Sequence, residues 1–463
     1  MTRIFRVFVP ATAVVLLISE ILLITSAFIV AVYLTLDVDP WVNLVYDGGL
    51  MHLIPVLVTI LLGMHFNDLY SQFYVKNRIV LLQQLCLVMG GAFLVQGLLS
   101  YIFPDLRVSA HVMAWGSFLA VVVIYFWRVL FSAFAIKVMG RDTLLMVGGS
   151  PLLEDIAAHL HEHPELGLAV AGYVDDGRQP GDTLNGAKVL GAIPDLKEIV
   201  EATNPSRIVV GMTERRNRMP VADLLELRFS GHIIEEAATI FERVCGRVCL
   251  KELRPAQLIY SGELGPRPRN LIVQTVSNRI VAAVGLVIAS PVMAVTALAV
   301  KFSSPGPILY RQVRVGMDDV PFTLYKFRSM RADAEAATGA VVAAKDDPRV
   351  TGVGRFIRKL RMDELPQLYN TLKGDMSIVG PRPERPEFVH DLSQKIPYYR
   401  QRHCVRPGIT GWAQINFKYG ETLEDTMTKL EYDLYYIKNM SFSLDSYIIF
   451  HTLKTMLLSR GAQ

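Results

Sequence analysis

The alternation of apolar and polar stretches divides the chain into regions of different character. Four uninterrupted apolar runs come first, at roughly 11–36, 50–69, 79–103 and 111–136, each long enough for a helix that crosses a bilayer. Arg3 and Arg6 precede the first run. That run is longer than a signal-peptide core and lacks a small-x-small cleavage site, so it is expected to remain as a spanning helix. Charge then orients the set. The first loop holds Asp37, Asp39 and Asp47 without Lys or Arg, whereas Lys76 and Arg78 lie in the second loop and Lys137 and Arg141 follow the fourth run. Basic residues mark the cytoplasmic side, which places both ends of a four-helix membrane bundle (1–140) inside the cell.

Beyond residue 141 the pattern changes. Short apolar runs at 143–147, 169–174, 207–211 and 232–234 alternate with helical periodicity, which predicts a small parallel, Rossmann-like α/β domain over 141–250. The first run ends in Gly148-Gly149-Ser150-Pro151, which lacks the spacing of a dinucleotide fingerprint. This turn is either a degenerate nucleotide site or part of a packing or regulatory domain, and the missing spacing favours the second. A linker is expected over 251–278.

A fifth apolar run, 280–300, carries Ser290-Pro291 at its centre. Arg267, Arg269 and Arg279 precede it, and Lys301, Arg311 and Arg314 follow. Proline removes a helix hydrogen bond, and cations on both flanks put both ends on one face of the membrane. The expectation is a re-entrant helix, 280–301, broken at Ser290-Pro291, with the Ser290 hydroxyl partnering backbone exposed at the bend. An α-rich catalytic domain (279–463) built on that helix would contain the remaining sequence, which is richer in charge, Pro and Gly.

Composition agrees with a membrane protein: 51% of the 463 residues are apolar and only 19% charged, against about a quarter charged in ordinary soluble domains. The net charge is +4, and no nucleic-acid partner is expected. Cys245 and Cys249 have no nearby Cys or His pair that would complete a zinc site. All four cysteines read as reduced, which suits a cytosolic face.

The candidate chemistry centres on Asp363-Glu364, which follow Arg358, Lys359 and Arg361. Cations that hold phosphate oxygens beside a carboxylate that attacks phosphorus or binds a metal are the parts that phosphoryl chemistry needs. Lys326, Arg328, Arg358, Arg361 and Arg382 can supply the positive charge, arginine as a fork and lysine as a point charge. Mg²⁺ would take one or two carboxylates. Adjacent residues do not share one face of a regular helix, so the pair is expected at an irregular helix start. The plain alternative is a helix N-cap pair.

The stretches KFRSM (326–330), DPRVTGVGRFIRKLRMDELPQLYNTLKGDMSIVGPRPERP (347–386), RPGITGWAQ (406–414) and YDLYYIKN (432–439) resemble, in order, the bacterial polyprenyl-phosphate sugar-1-phosphate transferases, the monotopic phosphoglycosyl transferases. The whole layout looks like their large, exopolysaccharide-initiating branch and is similar to the exosortase-associated glycosyltransferase. The resemblance implies that a UDP-sugar and undecaprenyl phosphate yield polyprenyl-diphosphate-sugar and UMP at the cytoplasmic face of the bacterial inner membrane, with membrane lipid as the surrounding partner. It implies that Asp363 attacks the sugar-bearing phosphorus, that Glu364 binds Mg²⁺, and that Arg358 and Arg382 hold phosphates. Pro407, Gly408 and Thr410 would belong to a loop near the nucleotide, Asp433 to the same site, and Ser290-Pro291 to the helix break. Arg361-Met362 stand where many members carry Ser or Thr, and Tyr369 replaces a frequent Trp. A homodimer through the middle domain is expected. Two rival readings fall short. A membrane-bound nucleotide-sugar dehydratase needs a glycine-rich NAD turn that Gly148–Ser150 does not provide, and a non-enzymatic scaffold leaves the clustered acids and cations without a purpose.

Overall fold

The computed structural model describes residues 2–4, 7–9, 11–35, 39–67, 69–70, 78–138, 142–212, 219–252, 268–331, 334, 347–417, 420 and 422–457. Most of the expected linker (253–267), together with Asp37, Lys76 and Arg141, lies outside them. The chain forms two compact units, one mainly residues 8–237 and the other mainly 238–463.

In the first unit the four apolar runs become the helices Ala11–Thr35, Gly49–Phe66, Arg78–Ile102 and Ala110–Val138. Their inward residues, among them Phe28, Ala31, Ile60, Leu85 and Ile124, form one apolar core, while Leu22, Leu94 and Phe126 remain exposed. That is the surface expected of helices whose solvent is lipid. The first and fourth helices pack along each other, and Gly116 permits the close approach because a Cβ there would run into the Phe28 ring. A buried ion pair joins the same two helices: Arg128 Nε donates to Glu20 Oε1 at 2.7 Å and Nη1 to the Leu69 carbonyl at 2.7 Å. With Arg269–Ser303, the described residues contain five helices long and apolar enough to cross a membrane.

The α/β portion is a six-stranded sheet. Its order runs Thr183–Leu184, Ala187–Gly191, Leu168–Val174, Asp142–Val147, Arg207–Val210, Ile233–Glu236. All neighbours are parallel except the first pair. Leu144, Leu145, Met146 and Val147 are fully buried in succession, as required of a central parallel strand covered on both faces. The first strand in sequence lies inside the sheet with connections winding both ways, the doubly wound pattern.

The second unit is organised around one long helix, Pro268–Ser303. It is a single helix where two halves separated at Ser290-Pro291 were expected. The reason is local. Pro291 has no N–H for the Val287 carbonyl four residues back, and the Ser290 hydroxyl donates to that same carbonyl at 2.7 Å. The helix is held on both sides of the proline by one folded body. Toward its start, Gln274 Nε2 donates to Tyr436 Oη (2.7 Å) and Asp445 Oδ2 (2.9 Å), and Asn278 Nδ2 to Ser377 Oγ (2.6 Å). Toward its end, Val300 is buried with Phe327 and Ile357. Between these anchors Val287, Ile288, Val292 and Val295 are exposed.

The rest of this unit mixes helices with two small sheets. Leu309–Val315 and Pro321–Phe327 form an antiparallel hairpin, and Ser377–Val379 lies parallel to Gly408–Thr410. Helices Leu423–Asn439 and Phe442–Leu457 complete the core, in which Leu434, Tyr436, Leu444 and Ile448 are essentially inaccessible.

Candidate active site

Asp363 and Glu364 occupy one turn of 3-10 helix, Met362–Glu364. The helix Gly352–Lys359 leads to it, with Thr351 Oγ1 capping the start by accepting from Gly354 N at 2.9 Å. Gly354 lets this helix lie against the Ser329 carbonyl, where a Cβ would collide. Arg361 then adopts φ +53°, a left-handed conformation that costs a side-chain-bearing residue free energy. The reversal ends the helix and turns both acids inward, each 8% exposed.

Three cations surround Glu364. Lys326 Nζ lies 3.0 Å and Arg382 Nη2 3.4 Å from Oε1, and Arg361 Nη1 lies 3.7 Å from Oε2. Burial alone would push the Glu364 carboxyl up. Lys326, Arg382 and Arg361 together outweigh it and hold the group at about 2. Asp363 differs: burial, and then the Glu364 charge, raise it above the usual aspartate range despite Lys326, Arg358 and Arg382. Neighbouring carboxyls pushed apart in this way take different roles. Glu364 is a fixed anion, and Asp363 is a poorly solvated carboxylate beside cations.

The supports come from distant segments. Lys326 sits on the hairpin, which Asn370 ties to the helix Gln367–Lys373 by donating to Thr323 O at 2.7 Å and accepting from Tyr325 N at 3.1 Å. Arg358 Nε donates to Ser329 Oγ at 2.8 Å. The Arg382 carbonyl accepts from Arg402 Nη2 at 3.0 Å. Arg402 also donates to Tyr399 Oη (2.8 Å) and lies 2.8 Å from Asp433. Burial raises Asp433 to about 6 in spite of Arg402.

Asp363 and Glu364 open onto a cavity of about 1590 Å³ lined also by Lys326, Arg328, Arg358, Arg382 and Asp433. Thirteen Lys or Arg line it against five Asp or Glu, a positive excess that attracts anions. Lys301, in the last turn of the long apolar helix, and Pro307 and Leu309, just beyond it, form part of the wall. Two expectations are relocated. Pro407, Gly408 and Thr410 do not line the cavity. Gly408–Thr410 is a buried strand, and its continuation, Gly411, Ala413 and Gln414, reaches the wall. Arg328 has its terminal nitrogens engaged: Nη1 donates to Pro305 O (2.9 Å) and Nη2 to Ser304 O (2.6 Å) and Val300 O (3.2 Å). It clamps the end of the long helix, where unpaired carbonyls accumulate.

A cationic cavity lined by an acid pair and joined to a long apolar helix is the arrangement of a membrane-associated enzyme. Residues 269–459 match the family described as bacterial sugar transferase, and residues 65–219 match a CoA-binding domain. The UDP-N-acetylgalactosamine-undecaprenyl-phosphate N-acetylgalactosaminephosphotransferase of Aeromonas hydrophila is 46% identical over 48% of this chain and 52% of its own length. The UDP-glucose:undecaprenyl-phosphate glucose-1-phosphate transferases of Escherichia coli (strain K12) and Xanthomonas campestris pv. campestris are 35% and 33% identical, covering 68% and 71% of this chain and 67% and 69% of theirs. The chain thus spans about half the length of the Aeromonas relative and two thirds of the others. It belongs to the polyprenyl-phosphate sugar-1-phosphate transferase family.

The α/β turn does not fit the pyrophosphate of a CoA-like ligand. Gly148 N donates to Val174 O, Ser150 N to Gly211 O and Leu152 N to Ser150 Oγ. Pro151 has no N–H to offer. The Asp175 carboxylate lies 3.0 Å from where a Cβ on Gly149 would stand. The amides of Gly148, Ser150 and Leu152, which would help to cradle phosphate, are therefore already used, and the Asp175 carboxylate sits over the turn.

Proposed function

We propose that this chain transfers a sugar 1-phosphate from a UDP-sugar to undecaprenyl phosphate at the cytoplasmic face of the bacterial inner membrane, and so initiates an exopolysaccharide. The observation that carries the reading is Asp363, buried on the floor of a cation-lined cavity with Lys326, Arg358 and Arg382 near it. The named activities of the relatives support the choice of donor and acceptor.

The reaction proceeds in two displacements. The Asp363 carboxylate attacks the sugar-bearing phosphorus, the bond to the bridging oxygen breaks, and UMP leaves. An oxygen of the lipid phosphate then attacks the same phosphorus and the bond to Asp363 breaks, giving polyprenyl-diphosphate-sugar and free carboxylate. Lys326, Arg358 and Arg382 neutralise non-bridging and leaving oxygens, which is where such catalysis gains most. Glu364 would hold Mg²⁺ together with donor phosphates through Oε2, from which Arg361, 3.7 Å away, would withdraw, since Lys326 and Arg382 occupy Oε1 and no cluster of three ligand side chains stands among the described residues. The ion would supply Lewis-acid charge neutralisation on the diphosphate.

The long helix is read as re-entrant. A straight helix of 36 residues would be about 54 Å long, yet residues toward both of its ends pack on one body, while exposed apolar residues run along it from Ile272 to Phe302. A shallow apex would seat the cavity at headgroup depth, with Lys301 toward anionic lipid. The test incubates membranes with a panel of UDP-sugars and undecaprenyl phosphate. UMP release with at least one donor, lost in Asp363→Asn, is expected. No release with any donor, or undiminished release in the variant, would overturn the assignment.

A further inference from the structure

Two cations meet at one carboxylate oxygen: Lys326 Nζ lies 3.0 Å and Arg382 Nη2 3.4 Å from Glu364 Oε1. Lys326 belongs to the hairpin. Arg382 stands between Pro381 and Pro383, which have no N–H to anchor the chain. The stretch is held instead through its carbonyls, four in succession. Pro381 O accepts from Gly408 N at 2.9 Å, Arg382 O from Arg402 Nη2 at 3.0 Å, Pro383 O from Arg314 Nη1 at 2.9 Å and Glu384 O from Val315 N at 2.9 Å. The last two donors come from the hairpin strand Leu309–Val315.

Arg314 is itself held. Its Nε donates to Gln312 Oε1 at 2.9 Å, Gln312 Nε2 donates to Tyr310 Oη at 3.0 Å, and Arg314 Nη1 lies 3.5 Å from Glu384 Oε2. Tyr310, Gln312 and Arg314 alternate along the strand and so share one face. Tyr310 stands directly opposite Lys326 in the ladder, so that face is the one that carries Lys326. The row runs from beside one cation of Glu364 to the loop that bears the other. Burial works against the Arg314 charge. An arginine fork, unlike a lysine, serves the Pro383 carbonyl and Gln312 Oε1 at once.

We propose that Arg314 is a positioning residue for Arg382: through the Pro383 carbonyl, and braced by Gln312 and Tyr310, it fixes Arg382 relative to Lys326 and so the place where a donor phosphate is held. The inference rests on the reading of Arg382 as a phosphate-holding cation and adds what sets its position. Misplacing such a group by about 1 Å costs about 100-fold in rate. Arg314 also lines the cavity, so direct contact with phosphate is the competing role, and the two differ in additivity. Groups that act as one unit lose their function once, whereas independent contacts multiply their losses.

The experiment is a double-mutant cycle in the purified full-length chain in detergent, read in UMP release with an accepted UDP-sugar and in equilibrium binding of UDP. Arg382→Met and Arg314→Met should each lower kcat about 100-fold and weaken UDP about tenfold. The double variant should fall no more than about twofold below the weaker single one. KM for undecaprenyl phosphate should stay unchanged in Arg314→Met, which a general loosening of the fold would not allow. If Arg314→Met does not fold, Gln312→Leu is read in its place, since it keeps both guanidinium groups and removes the acceptor at Arg314 Nε. It should lose about tenfold in kcat alone and nothing further in the Arg382→Met background. Losses that multiply in the double variant, or a fall in unfolding temperature with kcat unchanged, overturn the proposal. Coupling seen in UDP affinity without UMP release from any donor counts against the proposed reaction alone.

Discussion

Asp363 and Glu364 share a turn but not an electrostatic environment, and the difference sets the pH behaviour of the site. In the proposed route the reactive form of Asp363 is its carboxylate, and burial followed by the Glu364 charge raises its titration above the usual range. The rate of UMP release should therefore fall tenfold per pH unit below a point higher than an ordinary aspartate would give. Lys326 opposes this rise. Lys326→Met should move the acid limb of the pH–rate profile to higher pH and lower the plateau about 100-fold. A limb that stays in place would mean that another group titrates there. Glu364 bears on folding with the opposite sign. Its folded-state value, about 2, lies below the ordinary 4.5, so its stabilising contribution is complete above 4.5 and is lost as pH falls from there toward 2.

At the scale of elements, the hairpin and the end of the long helix form the frame of the site. Arg328 closes three backbone carbonyls at that helix end. Arg328→Met should lower the unfolding temperature of the solubilised protein by about 5–10 °C while changing the KM for UDP-sugar little. The opposite pattern would return Arg328 to the phosphates. The acid pair and Lys326, Arg358 and Arg382 were legible in the sequence because each lies within a contiguous motif whose chemistry is local. The inward turn of both acids was half legible, since only an irregular backbone permits it, but the left-handed Arg361 that produces it carries no composition signal. Asn370 and Arg402 were not singled out because their roles arise from packing between segments far apart in sequence. The strand Gly408–Thr410 was placed in a loop by the resemblance, and its three residues are too few to show a period of two that would have corrected this. Ser290-Pro291 was read as a break because proline removes a helix hydrogen bond, and the Ser290 hydroxyl takes up the carbonyl so freed.

For the molecule as a whole, the apolar runs and the alternation beyond residue 141 were legible because burial repeats with a fixed period over many residues. The path of the long helix was not, since a run of its length suits a span and a re-entrant turn equally. The account requires both ends on one face. In a background with Cys86, Cys245, Cys249 and Cys404 replaced, single cysteines at Arg269 and Ser303 should both react with an impermeant thiol reagent from the cytoplasmic side only. Labelling from opposite sides would make the helix a span and would separate it from the lipid-depth argument. The central claim is chemical, however, and one measurement reaches it directly: mass spectrometry of the purified chain after acid quench with an accepted UDP-sugar and no lipid acceptor. The account predicts a phospho-sugar mass increment on the peptide containing Asp363, discharged when undecaprenyl phosphate is added. Turnover with no such adduct on that peptide at any time would contradict it.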